Sequence, residues 1–219
     1  MKTLHTDFSG PGRSQAAFTL IELLVVIGII GVIAAMTLSG VGVAKVKKQE
    51  SATIAMKAQL ELAIEGYKKQ FGTYPPDNAA YAVNNPQWNP LAYELGGMRR
   101  SGANFIAAAD PNHTVTPVML ASYFSLTGFL NDGGNGGLKS FLNLKESGPS
   151  GNYALLTNSA PGLPPAAMVL QVPADHPAGG INVWRYRAYP ATGHNPKSYD
   201  LWAEIKRRDG STNIIGNWK

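Results

Sequence analysis

Residues 17–38 read AFTLIELLVVIGIIGVIAAMTL, and the same apolar character continues to Val43. Between Phe18 and Val43, Glu22 is the only ionisable side chain. A helix rises about 1.5 Å per residue, and roughly 20 consecutive apolar residues span the hydrocarbon core of a bilayer. The sequence therefore predicts a helix over residues 18–43 that is long enough to cross a membrane.

Glu22 is the exceptional residue of this apolar run. A carboxylate inside a membrane-spanning helix costs about 2.5–3.5 kcal/mol on insertion scales, and such a residue is by default a candidate for function. The alternative is a signal anchor, or an uncleaved secretory signal, in which the acid has no role. Secretory apolar regions are about 7–15 residues long and lack charges. The longer run, with an acid near its start, favours a functional Glu22.

Residues 17–22, Ala-Phe-Thr-Leu-Ile-Glu, followed by the apolar helix, resemble the class III signal of type IV pilins and type II secretion pseudopilins. The resemblance implies that a prepilin peptidase cuts between Ala17 and Phe18 and then N-methylates Phe18. Residues 1–17 would be the leader that is removed. Ala17 departs from the glycine that usually precedes the cut in this family.

The resemblance also implies that Thr19 and Glu22 act in subunit assembly, because the apolar helices of such proteins pack into the core of a fibre. A new α-amine at Phe18 has a reference pKa of about 7.7–8.0 and is cationic near neutral pH. In apolar surroundings, this amine and the Glu22 carboxylate would offset each other's desolvation. The pairing can form within one helix or between neighbouring subunits, where it would fix their axial register. Gly28 and Gly31 would allow close helix approach.

The composition limits the functional classes. Charged residues make up 15% of the chain, against about 25% in typical domains. The net charge of +5 would suit nucleic acid, but the basic residues form short scattered groups without interleaved aromatic residues, so we expect no nucleic-acid partner. The absence of cysteine excludes thiol catalysis, thiolate metal sites and disulfides. Because many type IVa pilins close their C-terminal region with a disulfide, this absence favours a pseudopilin.

A second helical pattern follows the apolar run. Apolar side chains recur at spacings of three and four residues while charged side chains occupy the other face, which predicts an amphipathic continuation of the helix over residues 44–74. Gly72, with Pro75 and Pro76 after it, predicts that the helix ends near Phe71. The apolar positions are Met56, Leu60, Ala63, Ile64, Tyr67 and Phe71.

Residues 75–180 are interrupted by Asn, Pro and Gly, which predicts a loop-rich insertion. Within it, short helices are predicted over residues 90–95 and 120–124, and strands over residues 153–157 and 168–172. The insertion is longer than the matching region of a typical major pseudopilin. We therefore expect it to determine the surface of the subunit or the partners that it binds.

Residues 181–219 regain a regular pattern. Residues 181–188 and 198–205 alternate as strands do, and we predict that they pair as an antiparallel hairpin. The end of the chain also resembles that of the major type II secretion pseudopilin in the order and identity of its short motifs. These motifs are Tyr199-Asp200-Leu201-Trp202, Asp209-Gly210 and Asn217-Trp218.

The resemblance implies a calcium site in the loop that precedes the terminal Asn-Trp. Calcium takes 6–8 oxygen ligands, several of them carboxylates. Asp209 is the only acid of this loop, and Asn213 could add a carbonyl oxygen. Lys206, Arg207 and Arg208 oppose the binding of a further cation. Calcium held by Asp209 and Asn213 and a plain Asp-Gly turn are therefore both open interpretations.

The sequence offers no catalytic pattern. His5 lies in the leader, and His113, His176 and His194 lie in Pro-, Gly- or Asn-rich stretches without a His-x-x-x-His spacing. There is no Gly-x-Ser-x-Gly elbow, and no pair of carboxylates is spaced for acid–base chemistry. We therefore expect exposed loop histidines and no enzyme activity.

Together these observations predict an α+β, pilin-like fold, with a long N-terminal helix packed on a small antiparallel sheet. The resemblance implies a structural subunit of a type II secretion pseudopilus, anchored in the bacterial inner membrane with its C-terminal domain in the periplasm. The implied partners are copies of itself in a helical fibre, prepilin peptidase, minor pseudopilins and the inner-membrane assembly platform. The alternatives are a type IV pilin for adhesion or DNA uptake, and a membrane-anchored ectodomain with another activity.

Overall fold

A computed structural model gives the fold of most of the chain. The leader predicted at residues 1–17 lies outside the described residues, and so do the side chains of residues 37–41. The chain divides into two units, Met1–Gly42 and Val43–Lys219, and the buried core lies in the second. The structure describes residues 18–78, 85–134, 137–145, 151–156 and 166–218.

The described residues form three helices and eight short strands, in the α+β arrangement that the sequence predicts. The strands form one two-stranded and two three-stranded sheets, all antiparallel. In chain order the elements are α1 (Leu20–Phe71), α2 (Leu91–Gly96), β1 (Met98–Ser101), β2 (Asn104–Ala107), β3 (Thr114–Val115), α3 (Pro117–Phe124), β4 (Tyr153–Leu156), β5 (Ala167–Leu170), β6 (Arg185–Ala188), β7 (Tyr199–Lys206) and β8 (Thr212–Gly216).

The N-terminal part of α1 has an exposed apolar surface. Between residues 18 and 36, the exposed fraction of the large apolar side chains runs from 47% at Val26 to 82% at Phe18. In the part of the chain that the structure describes, no helix combines the length and the apolarity of a membrane span. A contiguous apolar surface of this kind marks an interaction site rather than an ordinary solvated face.

The C-terminal part of α1 packs on the core through the predicted apolar face. Leu60, Ile64 and Tyr67 are fully buried, whereas Leu62, on the opposite face, is 77% exposed. Burying a side chain of the size of Leu stabilises the fold by about 1.5–3 kcal/mol. The amphipathic continuation of the helix is therefore confirmed.

Helix α1 ends where the sequence predicts. Gly72 has a φ of +79°, a left-handed conformation that is unfavourable for residues with a Cβ. Its N–H donates to the carbonyl of Lys68 at 2.8 Å, which satisfies one of the last helical acceptors. Pro75 and Pro76 follow and cannot continue a helix.

The C-terminal sheet contains the predicted hairpin and one strand more. Strand β7 is central and pairs with β6 on one side, where Tyr186 lies opposite Leu201. On its other side β7 pairs with β8, where Ala203 lies opposite Ile215. Strand β8 was not predicted, because its five residues are too few to show a clear alternation.

Residues 75–180 contain more regular structure than the sequence predicts. Helices α2 and α3 and strands β4 and β5 match the predicted elements closely. The sheet β1–β3 was not predicted, since its strands have only two to four residues and little alternation. Helix α3 begins with Pro117 after an N-cap at Thr116, whose hydroxyl accepts from the N–H of Met119 at 3.2 Å.

Candidate functional site

The start of α1 brings together two of the predicted assembly residues, Thr19 and Glu22. Oε2 of Glu22 accepts from the backbone N–H of Thr19 at 2.9 Å and from its hydroxyl at 2.8 Å. In return, the backbone N–H of Glu22 donates to the Thr19 hydroxyl oxygen at 3.3 Å. This reciprocal arrangement is a capping box, which satisfies donors that the first turn of a helix leaves free. It also turns the carboxylate back towards the beginning of the helix.

The predicted processing site consists of Ala17 and Phe18. Ala17 lies outside the described residues, so the structure does not describe the peptide bond that would be cut. Phe18 is 82% exposed and directly precedes the capping box. A cut before Phe18 would therefore create an α-amine on the residue that precedes the capping box, four positions before Glu22.

Gly28 and Gly31 lie within the exposed apolar part of α1. Among the described residues, a Cβ added at either position would meet no atom within 4 Å. No contact among the described residues therefore requires glycine at these positions. Small residues on an exposed apolar helix are typical of surfaces that receive a second helix at close range.

At the other end of the chain, Asp200 holds the connection between β6 and β7. It is 2% exposed, and its carboxylate accepts from the backbone N–H groups of His194 and Asn195 at 2.8 and 2.9 Å. The side-chain amide of Asn195 adds a third donor at 3.0 Å. A Cβ at Gly193 would collide with the Asp200 carboxylate, so this position requires glycine. Asp200 thus fixes a turn that the sequence motif alone did not explain.

Asn217 continues the pairing of β7 beyond the end of β8. Its backbone N–H donates to the carbonyl of Leu201 at 3.0 Å, and its Oδ1 accepts from the N–H of Leu201 at 2.9 Å. Its Nδ2 donates to the carbonyl of Tyr199 at 2.8 Å. Trp218 then stacks on His194, with ring centroids 4.0 Å apart. We call Asp200, Asn217 and Trp218 the C-terminal brace, because together they fix the last residues of the chain.

The predicted calcium ligands, Asp209 and Asn213, lie in and just after the turn between β7 and β8. Oδ1 of Asp209 accepts from the backbone N–H and the hydroxyl of Ser211, at 2.9 and 2.6 Å. Oδ1 of Asn213 accepts from the guanidinium of Arg207 at 2.8 Å. Among the described residues, no three His, Asp or Glu side chains converge as metal ligands do. This donor set suits a plain Asp-Gly turn better than a Ca²⁺ site, and both interpretations stay open.

Two of the described histidines, His113 and His176, are half-buried rather than exposed as expected. His113 is half-buried, its ring stacks on that of Tyr93, and its Nε2 lies 2.9 Å from the Tyr93 hydroxyl. Burial lowers the pKa of His113, which favours the neutral ring. This histidine therefore has a packing role.

Sequence reasoning missed a buried carboxylate at Glu94 in α2. It is fully buried and accepts hydrogen bonds from the Tyr67 hydroxyl and from the backbone N–H groups of Leu130 and Asn131. A single acid in a short apolar helix gives no periodic signal. Only the loop at residues 130–131, which folds over α2, reveals why the acid is tolerated there.

Comparisons with known proteins identify the same N-terminal stretch as a functional motif. The prokaryotic N-terminal methylation motif matches residues 12–38, a range that includes both predicted processing residues and Glu22. Fimbrial protein EcpC of Eikenella corrodens is 31% identical over 123 residues, which cover 54% of this chain and 78% of that protein. No solved structure matches significantly. The chain therefore belongs to the type IV pilin-like family of structural subunits, which are not enzymes.

Proposed function

We propose that the chain is a structural subunit of a type II secretion pseudopilus. It is made as a precursor anchored in the bacterial inner membrane, with residues 44–219 in the periplasm. Prepilin peptidase cuts between Ala17 and Phe18 and methylates Phe18, and the mature chains polymerise through the apolar part of α1. The observation that carries this proposal is the capping box of Thr19 and Glu22 at the start of an exposed apolar helix.

The geometry of Glu22 supports a contact between subunits. Both hydrogen bonds from Thr19 use Oε2, and no described residue donates to Oε1. In a fibre core without water, an unpaired carboxylate oxygen is costly. The cationic α-amine of Phe18 from a neighbouring subunit is a donor of the right charge for Oε1. One such contact per subunit would fix the axial register of the fibre.

A set of Glu22 variants tests this proposal. In Glu22→Ala and Glu22→Gln, we expect precursor insertion and cleavage to continue but fibre assembly to fall at least about ten-fold, because the amine loses its charged partner. Glu61→Ala, the same change in the amphipathic part of α1, is the matched control and should assemble normally. Fibres are quantified after shearing and by electron microscopy. Wild-type fibre yield in Glu22→Ala would rule out the proposed role.

The similarity to a fimbrial protein favours a second candidate, a type IV pilus subunit exposed on the cell surface. The order of the C-terminal motifs and the absence of cysteine support the pseudopilus instead. Deletion of the gene distinguishes the two. We expect the deletion strain to lose protein secretion into the medium and to keep its surface fibres. Loss of surface fibres with normal secretion would favour the type IV pilus.

The proposed partners follow from this function. They are further copies of the chain in a helical fibre, minor pseudopilins, prepilin peptidase and the inner-membrane assembly platform. Cross-linking from a cysteine placed at Leu62, which is exposed on the outer face of α1, tests contact between copies. Because the chain has no native cysteine, a cross-linked dimer can form only through the introduced residue. We expect such dimers in assembled fibres and none in the Glu22→Ala strain.

A further inference from the structure

An open pocket of about 590 Å³ lies in the second unit, between the first residues of α1 in that unit and the turn that joins β7 to β8. We call it the basic pocket. Its lining combines apolar and cationic side chains, a combination that suits an amphipathic ligand. The lining includes Val43, Val46, Ile205, Lys47, Arg207 and Arg208.

Two of the cations are available to a ligand. Within the described part of the chain, neither Lys47 nor Arg208 forms a hydrogen bond or an ion pair, and both side chains are exposed. Arg207 is positioned by its hydrogen bond to Asn213 at 2.8 Å. A guanidinium group offers a planar fork of donors that matches the oxygens of a phosphate.

Both acids of the pocket lining already accept hydrogen bonds from neighbouring residues. Oε1 of Glu50 accepts from Nδ2 of Asn213 at 3.2 Å, and Asp209 is occupied by Ser211. The three cations of the lining thus exceed its two carboxylates, and Lys48 and Lys206, which adjoin lining residues in sequence, are exposed. The pocket therefore favours an anion.

We infer that the basic pocket binds the phosphate of an anionic phospholipid headgroup at the surface of the membrane that holds the precursor. This inference rests on the proposed membrane-anchored state. The pocket lining begins at Val43, so in sequence it directly follows the segment proposed to lie in the membrane. Val43 and Val46 provide apolar contact for the glycerol and the first acyl carbons, while Arg208 and Lys47 meet the phosphate.

The charge distribution along the chain supports a lipid rather than a free phosphate. Basic residues usually accumulate on the cytoplasmic side of a membrane span. Here Lys47 and Lys48 follow the apolar run on the side proposed to be periplasmic, where orientation does not require them, whereas Lys45 in the same stretch is paired with Asp175 at 2.8 Å. Clusters of lysine and arginine next to a membrane segment bind anionic lipid surfaces. A lipid-binding role explains why Lys47 and Lys48 lie on this side of the proposed membrane segment.

The test uses the full chain in detergent, titrated with phosphatidylglycerol or with phosphatidylcholine, and native mass spectrometry to count bound lipids. We expect a clear preference for phosphatidylglycerol. Lys47→Gln with Arg208→Gln should weaken that preference about five-fold or more, because each cation contributes measurably to anionic-lipid binding. Both residues lack hydrogen-bond partners in the described chain, so this double variant should fold. Lys69→Gln with Arg99→Gln, two exposed cations outside the pocket, is the matched control.

Three results would overturn the inference: equal binding of the two lipids, an unchanged preference in the Lys47/Arg208 variant, or displacement of the lipid by inorganic phosphate alone. Fibre assembly is measured separately in the same strains. If the wild-type chain forms fibres without a lipid preference, only this inference fails. If the preference is present but Glu22→Ala still assembles, the proposed function fails instead.

Discussion

The hydroxyl of Tyr67 on α1 donates to Oε2 of the buried Glu94 on α2 at 3.0 Å. Glu94 also accepts from the N–H groups of Leu130 and Asn131, both at 3.1 Å, so one carboxylate joins α1, α2 and the loop at residues 130–131. Burial raises the pKa of Glu94 despite these donors, and it also raises the pKa of Tyr67. Glu94 thus joins the middle of the chain to α1, in addition to the ring contacts of Phe141 with Tyr67 and Phe71.

This arrangement makes stability depend on pH. Because the pKa of Glu94 lies above its ordinary value of 4.5, the folded state binds more protons than the unfolded state in the range just above that value. The free energy of unfolding therefore falls as pH rises through this range. We expect Glu94→Gln to flatten this dependence in urea unfolding of the full chain in detergent. Glu65→Gln, at an exposed position of α1, is the control and should follow the wild-type profile. A Glu94→Gln profile parallel to wild type would contradict the assignment.

Substitutions at two leucines of α1 should change the free energy of unfolding by very different amounts, because only one of them lies on the buried face. Leu60 is fully buried and Leu62 is 77% exposed. We expect Leu60→Ala to lower the free energy of unfolding by about 2–5 kcal/mol, because it leaves a cavity, and Leu62→Ala to change it by less than about 0.5 kcal/mol. Equal effects in denaturant unfolding would mean that α1 packs on the core through a different face.

The C-terminal brace predicts a local loss of stability on removal of Asn217. Its amide makes two hydrogen bonds of 2.8–2.9 Å to the backbone of β7. We expect Asn217→Ala to cost about 1–3 kcal/mol, since it leaves the N–H of Leu201 and the carbonyl of Tyr199 without these partners. Asn143→Ala, an exposed asparagine in a loop, provides the comparison. Similar unfolding midpoints for the two variants would show that the brace does not stabilise the sheet.

The sequence predicted the parts of the molecule that have long periodic patterns. The 3–4 spacing from Met56 to Phe71 predicted the buried face of α1, and Gly72 predicted its end, because both signals depend only on local geometry. Strands β1–β3 and β8 were missed, since two to five residues cannot show a period and are stabilised by partners distant in sequence. Glu94 was missed for the same reason, because its donors come from residues 67, 130 and 131.

In the candidate sites, too, the local arrangement could be predicted from the sequence and the long-range one could not. Thr19 and Glu22 are three residues apart, so the first turn of a helix is enough to bring them together. The basic pocket instead combines the start of the second unit, around Lys47, with a turn near Arg208. Residues about 160 positions apart in sequence give no joint signal before the fold is known. From the sequence, Arg207 and Arg208 are only cations that oppose calcium, whereas the fold places both in the lining of the basic pocket.

The contacts of Asp209 and Asn213 lead to a prediction about calcium. Both side chains already accept from neighbouring donors, and Arg207 adds positive charge beside them. We therefore expect the thermal unfolding temperature to be the same in millimolar calcium and in a chelator. A rise in calcium that Asp209→Asn abolishes would show that the turn rearranges to bind the ion.

The most direct test of the proposed function is the intact mass and N-terminal sequence of the protein isolated from its native membrane. We expect a mature chain that begins at N-methyl-Phe18, which places the new amine next to the Thr19–Glu22 capping box. The Glu22→Ala strain shows whether processing and assembly are separate steps. A chain that still begins at Met1, or that is cut at another position, would contradict the proposed maturation and the role of Glu22 in fibre assembly.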